Sequence, residues 1–312
     1  MDDQMTPTEP SSAGSLKTWF LELRPQFLLL SVLLVPIGTA VAWHQGSFNL
    51  VYFLLAWAGT VLAHISVNVL NDYFDHQSRL DFHTQQTPFS GGSGILTAGL
   101  LEPTRVYILG VASLLIAAVI GVYFIAVRGW GLLPILLIGG LAAYFYTPLF
   151  SRWQIGELLA GLGLGTLVVL GAYFVQMGEY SWEAFAVALP PGFLTANLLL
   201  LNEFPDLEAD REVGRRNLVM ALGTKKASWL YTALVAATYL CIILGVALRL
   251  MPLPALVGLL TLPVAFKAVQ GALQHHDDIP KLIPSLGANV MTILGTNLLL
   301  TVGYVLATLF GL

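Results

Sequence analysis

The sequence predicts an all-α polytopic membrane protein with nine transmembrane helices, and three observations lead there. Hydrophobic residues make up 56% of the chain and charged residues only 10%, whereas a soluble domain carries about a quarter charged residues. The apolar runs reach the roughly twenty residues that span a bilayer. They follow one another across short polar gaps, which leaves no room for a separate water-soluble core. The basic residues also sort to one side of these runs, as they do in inserted helical bundles.

Residues 1–16 (MDDQMTPTEPSSAGSL) are polar and rich in Ser, Thr and Pro, without the basic start and small-residue cleavage site of a signal peptide. They are expected to form a flexible cytoplasmic tail, with 17–312 as one transmembrane domain. The spans then fall near 26–43, 51–71, 104–127, 130–148, 153–175, 182–203, 227–248, 252–271 and 287–310. With the first span running outward from the cytoplasm, Lys17, Arg24, Arg79, Arg105, Arg152, Arg211, Arg215, Arg216, Lys225, Lys226, Lys267 and Lys281 lie inside. Only Arg128 and Arg249 lie outside, and this bias places the N-terminus in the cytoplasm. The formal net charge of −4 says little, because acids and bases are interleaved. The lone Cys241 sits in an apolar run, so a disulfide is excluded. No nucleic-acid partner is expected.

The second and sixth spans end in matching acidic clusters. Asn71-Asp72-Tyr73-Phe74-Asp75 is followed by Asp81, and Asn202-Glu203-Phe204-Pro205-Asp206 by Asp210. Each reads Asn, acid, aromatic, any residue, Asp, at the cytoplasmic end of an inward-running helix. The recurrence in register implies a four-helix internal repeat, and duplicated halves commonly build a site where the copies face each other. His64, Asn68, Asn71 or Asp72, and Asp75 step by three or four residues and share one helix face. For His64 and Asn68, hydrogen bonding between helices is as reasonable as substrate contact. Thr195, Asn202, Asp206 and Asp210 share a face of the sixth span, where Pro205 is expected to break the helix.

A carboxylate at a bilayer centre costs about 2.5 to 3.5 kcal/mol, so paired clusters at helix ends imply a function at the membrane surface. Magnesium takes a few carboxylates together with substrate phosphate oxygens and retained water. Asp72, Asp75, Asp206 and Asp210 suit it as ligands, with Asp81 more distant and Asn71 and Asn202 assisting. Arg79, Arg211, Arg215 and Arg216 lie in or beside the clusters, and guanidinium groups bind phosphate through paired hydrogen bonds. Lys225 and Lys226 are better read as membrane-surface charges. Gly91-Gly92-Ser93-Gly94 is a secondary candidate for backbone donors to phosphate. A metal-held diphosphate at the surface with its tail among apolar helices describes a polyprenyl diphosphate. Tyr73, Tyr144 or Tyr146 could face an allylic cation, although interfacial aromatics usually belong to the aromatic belt.

The motifs NDYFDHQSRLD and NEFPDLEADREVGRRN, with nine spans, resemble the UbiA superfamily of intramembrane prenyltransferases across nearly the whole chain. RPQF at 24–27, GGSGILTAGLL at 91–101 and GELLAGLGLG at 156–165 look most like its 1,4-dihydroxy-2-naphthoate polyprenyltransferases of menaquinone synthesis. The resemblance implies helices ringed around a central cavity, capped by the motif loops on the cytoplasmic side of a bacterial or archaeal membrane and open laterally for the prenyl chain. It implies two Mg²⁺ held by Asp72, Asp75, Asp206 and Asp210 on the diphosphate, with Asp81 deprotonating or orienting an aromatic acceptor. The chain departs from the pattern at Gln26 and Phe150, where a Lys is common, with Arg152 near the second position.

Other readings remain. HTQQTPFSGGSG after the first motif replaces the basic stretch usual for 4-hydroxybenzoate acceptors, which disfavours them; a glycerol phosphate lipid acceptor is allowed. A cation-coupled transporter is disfavoured because transporter sites lie near the bilayer midplane. His275-His276-Asp277-Asp278 reads as a solvated loop, since four consecutive side chains cannot converge on one ion. Gly161 and Gly165 read as a packing face. Asn289, Thr292 and Thr296 could line the cavity or bond between helices.

Overall fold

The computed structural model describes residues 14–84, 87 and 91–312, and among them every regular element is helical. Expectations for residues 1–13, and for 85, 86 and 88–90 after the first motif, lie outside the described residues. In chain order the helices are α1 (Leu16–Glu22), α2 (Pro25–His44), α3 (Leu50–Ser78), α4 (Pro103–Arg128), α5 (Leu133–Phe145), α6 (Gly156–Gly161), α7 (Leu167–Met177), α8 (Trp182–Glu212), α9 (Leu218–Leu222), α10 (Thr224–Ala247), α11 (Leu262–Gln274) and α12 (Ile279–Phe310). Among the described residues eight stretches are long and apolar enough to cross a membrane, and Trp130–Phe145 is a shorter apolar helix in the fourth expected place. The protein is an integral membrane protein, built as expected except that this fourth helix is too short by itself to match its neighbours.

Helix starts follow local chemistry. Ser15, Asn49, Ser181, Asn217 and Asp278 each accept a backbone N–H of the first turn through their side chains, satisfying a donor that the helix leaves open. Asp278 also bonds Lys281 Nζ at 2.6 Å, so the 275–278 segment is a cap and not a metal site. Pro25 and Pro103 sit in first turns, where a missing N–H costs nothing. The short α1 was not read from the sequence. Its apolar Leu16 and Phe20 face outward while Thr18 and Glu22 are buried, the pattern of a helix lying along an apolar surface.

Helix α8 is central, packed against α10, α6, α12 and α7, with α3 against α4 and α2 against α7 and α12. Glycine permits close approach between α6–α7 and α8. A Cβ on Gly161 would stand 2.7 Å from Gly192 O, and one on Gly165 equally close to Gly192 Cα. The small-residue face is therefore a packing face, and the helix there takes a π turn over Leu162–Thr166. A polar lattice ties the second half together. Asn197 Nδ2 donates to Tyr231 O at 3.1 Å, and Tyr231 Oη to Asn289 Oδ1 at 3.1 Å. Tyr239, Thr261 and Thr296 form a hydroxyl chain at 2.8 and 2.7 Å. Asn289, Thr292 and Thr296 are buried in this lattice and bond between or within helices; they do not line the cavity described below. The expected break at Pro205 is absent. Helix α8 continues through Pro190, Pro191 and Pro205 to Glu212. Each proline removes only its own donor, and α8 borders a cavity where irregular backbone is tolerated.

Candidate active site

One cavity of about 640 Å³ collects the ends of both acidic motifs. Its walls come from α2, α3, α4, α5, α6, α7 and α8. Most are small or apolar residues such as Gly59, Ala118, Gly121, Leu136, Gly140 and Val175; the motif residues stand at one end. Between α4 and α5, Val122 and Leu137 line the cavity while remaining 64% and 53% exposed, so this wall has an apolar outer face.

Helix α3 carries Asp72 and Asp75 on its last turns and stops at Arg79, which takes a left-handed conformation with φ 65°. Asp75 is buried and paired with Arg215. Arg215 also lies 3.5 Å from Asp210 Oδ1, and Asn217 Nδ2 donates to Asp210 Oδ2 at 3.1 Å. One arginine thus bridges the ends of α3 and α8. Asp72 is 1% exposed and does not line the cavity. It accepts Ser93 N–H at 2.9 Å and lies 3.5 Å from Arg24 Nη1. Arg24 also donates to Gly91 O at 3.0 Å. It sits at the α1–α2 elbow with φ 53°, and a left-handed non-glycine backbone costs of order 1 to 3 kcal/mol. That conformation accompanies the side chain that clamps the first motif to the 91–93 loop.

The roof is acidic and crowded. Ser93 Oγ donates to Glu22 Oε2 at 2.9 Å, and Glu22 is fully buried. Burial first, and the Asp72 charge second, push the Glu22 carboxyl up to about 8. Asp81 packs on the Gly92 backbone so closely that a Cβ there would be 2.7 Å from its Oδ2. Burial, then Asp72, raises the Asp81 carboxyl to about 7. Tyr146 lines the cavity.

The sequence-predicted residues divide. Asn68, Asn71, Asp75, Asp81, Tyr146, Asn202, Asp206, Asp210, Arg215 and Arg216 line the cavity, as do His64 and Thr195. Asn71 donates to Thr147 Oγ1 at 3.0 Å, Asn68 to Leu23 O at 3.1 Å, and His64 bonds Ser31 at 2.6 Å. Arg79 and Arg211 are exposed and off the cavity, Arg211 beside Glu208 at 3.8 Å. Tyr144 also lies off it, bonded to Tyr107 at 2.9 Å. Tyr73 packs on Phe74 and Tyr107. The amide of Ser93 serves Asp72. Arg152 is exposed beside Phe150 and Trp153 and does not line the cavity. Two participants went unread, Glu22 and Glu157, while Glu203 was read only as an acid of the second cluster and Ser93 only as a backbone donor to phosphate. The sequence signal for Glu203 and Glu157 was their place inside quoted motifs; for Glu22 there was none.

Could this end hold a divalent metal? Asp75, Asp206 and Asp210 present carboxylates to the cavity, and Asn202 Oδ1 is a buried oxygen that no donor reaches. No group of three His, Cys, Asp or Glu forms a ready cage among the described residues. That arrangement fits magnesium, which completes its octahedron with water and phosphate oxygens.

The model of the UbiA prenyltransferase family matches residues 29–283. The chain belongs to that family. Among UbiA proteins it is 30% identical to the 1,4-dihydroxy-2-naphthoate octaprenyltransferase of Bacillus subtilis, covering 87% of this chain and 86% of the relative. It is 27% identical to the 2-carboxy-1,4-naphthoquinone phytyltransferase of Synechocystis, over 88% and 89%. The fold resembles the apo UbiA homolog of Aeropyrum pernix, with TM-score 0.70, 20% identity, and 90% and 97% covered. It also resembles the UbiA homolog of Archaeoglobus fulgidus bound to GPP and Mg²⁺, with TM-score 0.59, 15% identity, and 91% and 99% covered.

Proposed function

We propose that this UbiA protein transfers a polyprenyl group from its diphosphate to 1,4-dihydroxy-2-naphthoate, the prenylation step of menaquinone synthesis. The observation that carries the reading is the two-part cavity: carboxylates and Arg215 at one end, and about 640 Å³ of mainly apolar enclosure behind them. Magnesium, two ions in this reading, would neutralise the departing diphosphate and so lower the barrier to ionisation. Asp75, Asp206 and Asp210 would hold it from the cavity wall. Asp72 would join them by giving up Ser93 and Arg24, and Asn71 and Asn202 would orient the set.

The remaining roles belong to the chain itself. Arg215 and Arg216 bind diphosphate oxygens, and donors fixed toward developing negative charge act without reorganising. The apolar walls seat the prenyl tail, which enters between Val122 and Leu137. As the C1–O bond breaks, the Tyr146 ring faces the allylic cation. Asp81, confined by Gly92, orients the acceptor near the roof. The basic-residue bias supports a cytoplasmic side for this end and for the N-terminus, in this reading that of a bacterial or archaeal membrane. The names of the relatives support a naphthoate acceptor, and the Archaeoglobus protein bound to GPP and Mg²⁺ supports the metal-diphosphate pairing.

Purified protein with Mg²⁺ and geranylgeranyl diphosphate, with and without 1,4-dihydroxy-2-naphthoate, tests this. A decarboxylated prenyl-naphthoquinol found by mass spectrometry is the expected product. Diphosphate release without it would move the acceptor elsewhere, and no release with any acceptor or chain length would end the transferase reading.

A further inference from the structure

Three glycines in the cavity wall answer to no packing need. Gly139 and Gly140 on α5, and Gly163 in the π turn between α6 and α7, all line the cavity. A Cβ on Gly139 or Gly140 would meet no neighbour within 4 Å, and one on Gly163 would meet only the Ala142 Cβ at 3.9 Å, an ordinary contact. Gly161 and Gly165 beside it are instead pressed on Gly192. Inside a helix glycine is the least favourable residue short of proline, and none of these three returns that cost through a helix contact. What they leave is room in the cavity. The room lies at one depth, because Gly139 precedes Tyr146 by seven residues, and Gly163 follows by seven Gly156, whose Cβ would stand 3.0 Å from Tyr146 Oη. At a rise of about 1.5 Å per residue, both lie about 10 Å beyond the Tyr146 end. Helix α6 is anchored at that end, where Glu157 Oε1 accepts Leu218 N–H at 2.7 Å. Along α3 the cavity continues from Asp75 to Ala56, about 28 Å by the same rise, and Phe124, Leu132 and Val175, each 3% exposed, close its far end.

We infer that Gly139, Gly140 and Gly163 determine which donors the protein accepts, by leaving a gap through which a tail of several isoprene units reaches the deep half of the cavity. This rests on the transferase reading above, with prenyl C1 at the Tyr146 ring. At about 1.5 Å per carbon–carbon bond, the single unit of a dimethylallyl donor ends before this layer, whereas the four units of a geranylgeranyl donor run past it. The distal units then lie against Leu136, Val175 and Phe124. The layer is neutral toward short donors and decides for long ones. Side chains added here fill ligand space without displacing a helix, which separates this layer from Gly121, where a Cβ would stand 2.8 Å from Leu136 Cδ1.

Gly139→Leu and Gly163→Leu test this in the full-length protein, with Mg²⁺ and the acceptor that supports turnover. The readouts are the Ki of inorganic diphosphate, which has no tail, and kcat/KM for dimethylallyl, geranyl, farnesyl and geranylgeranyl diphosphates. A single methylene too many in an apolar pocket is worth about 10- to 200-fold, and geranylgeranyl diphosphate should lose at least that much kcat/KM while the Ki of diphosphate holds its wild-type value. The loss should begin part-way along the series, at the donor whose tail first reaches the layer. Where a leucine variant fails to fold, Gly139→Ala and Gly163→Ala carry the same test with a smaller loss, since alanine is preferred to glycine inside a helix. A loss equal for every donor, or a matching rise in the Ki of diphosphate, means that the helices have moved and overturns the assignment, as does an undiminished geranylgeranyl rate. A wild-type protein that releases diphosphate from no donor with any acceptor defeats the transferase reading itself, a result separate from any behaviour of the variants.

Discussion

The two acidic motifs match in sequence but not in setting. The second presents Asp206 and Asp210 in the cavity wall from a helix that runs on to Glu212. The first presents Asp75, while Asp72 is turned away and held by the 91–93 loop and by Arg24, 48 residues distant. The first copy is therefore tied to the roof and to the amino-terminal elbow, and the second forms a wall. A repeated pattern fixes which residue types recur; the connecting segments decide which of them face the ligand.

Arg215 joins the two copies, so its loss breaks the comparison most severely. Arg215→Ala leaves Asp75 and Asp210 without their shared cation and should cost about 3 to 5 kcal/mol, read as a fall in Tm that added Mg²⁺ partly reverses. Next come the acids. Asp75→Ala and Asp206→Ala should each lower kcat by about 10²- to 10³-fold, as for other groups that stabilise developing charge. Asp72→Ala should lower it least of the three, because that carboxylate must first leave Ser93 and Arg24. Equal losses at all three would show that the copies act alike once substrate binds.

The roof supplies a pH dependence. Glu22 and Asp81 have raised folded values, about 8 and about 7. Between their unfolded values and these, the folded protein binds more protons than the unfolded chain, so stability falls as pH rises through that window. The metal-free protein should thus lose Tm from about pH 4 to 8, and Glu22→Gln should flatten the upper part. Thermal melts across pH measure both. The smallest effect belongs to residues that the sequence favoured and the structure places outside: Arg79→Ala and Arg211→Ala should shift stability by less than about 0.5 kcal/mol and leave turnover near wild type.

Much of this was legible from hydropathy and spacing. The helical class, the order of spans and the approach of two distant motifs follow from apolar run lengths and a repeated pattern. What was not legible depends on tertiary placement. Arg24 and Ser93 act on Asp72 across loops whose geometry no periodicity encodes. Glu22 sits on a seven-residue helix too short to show a face. Pro205 looked like a breaker because local rules price its missing donor without knowing that a cavity borders the helix. Tyr144 and Tyr146 were indistinguishable as aromatics two residues apart, yet a hydroxyl pair with Tyr107 takes one out of the cavity while the other lines it.

The wall between α4 and α5, with Val122 and Leu137 touching both the cavity and the outer surface, has a kinetic consequence. Under the proposed function, the donor arrives from the hydrocarbon phase and the product returns there without crossing water. The concentration that governs saturation is then moles of donor per mole of lipid. Diluting a fixed amount of donor with extra phospholipid slows the reaction, whereas diluting the whole suspension with buffer that holds Mg²⁺ and acceptor constant leaves the turnover per protein unchanged.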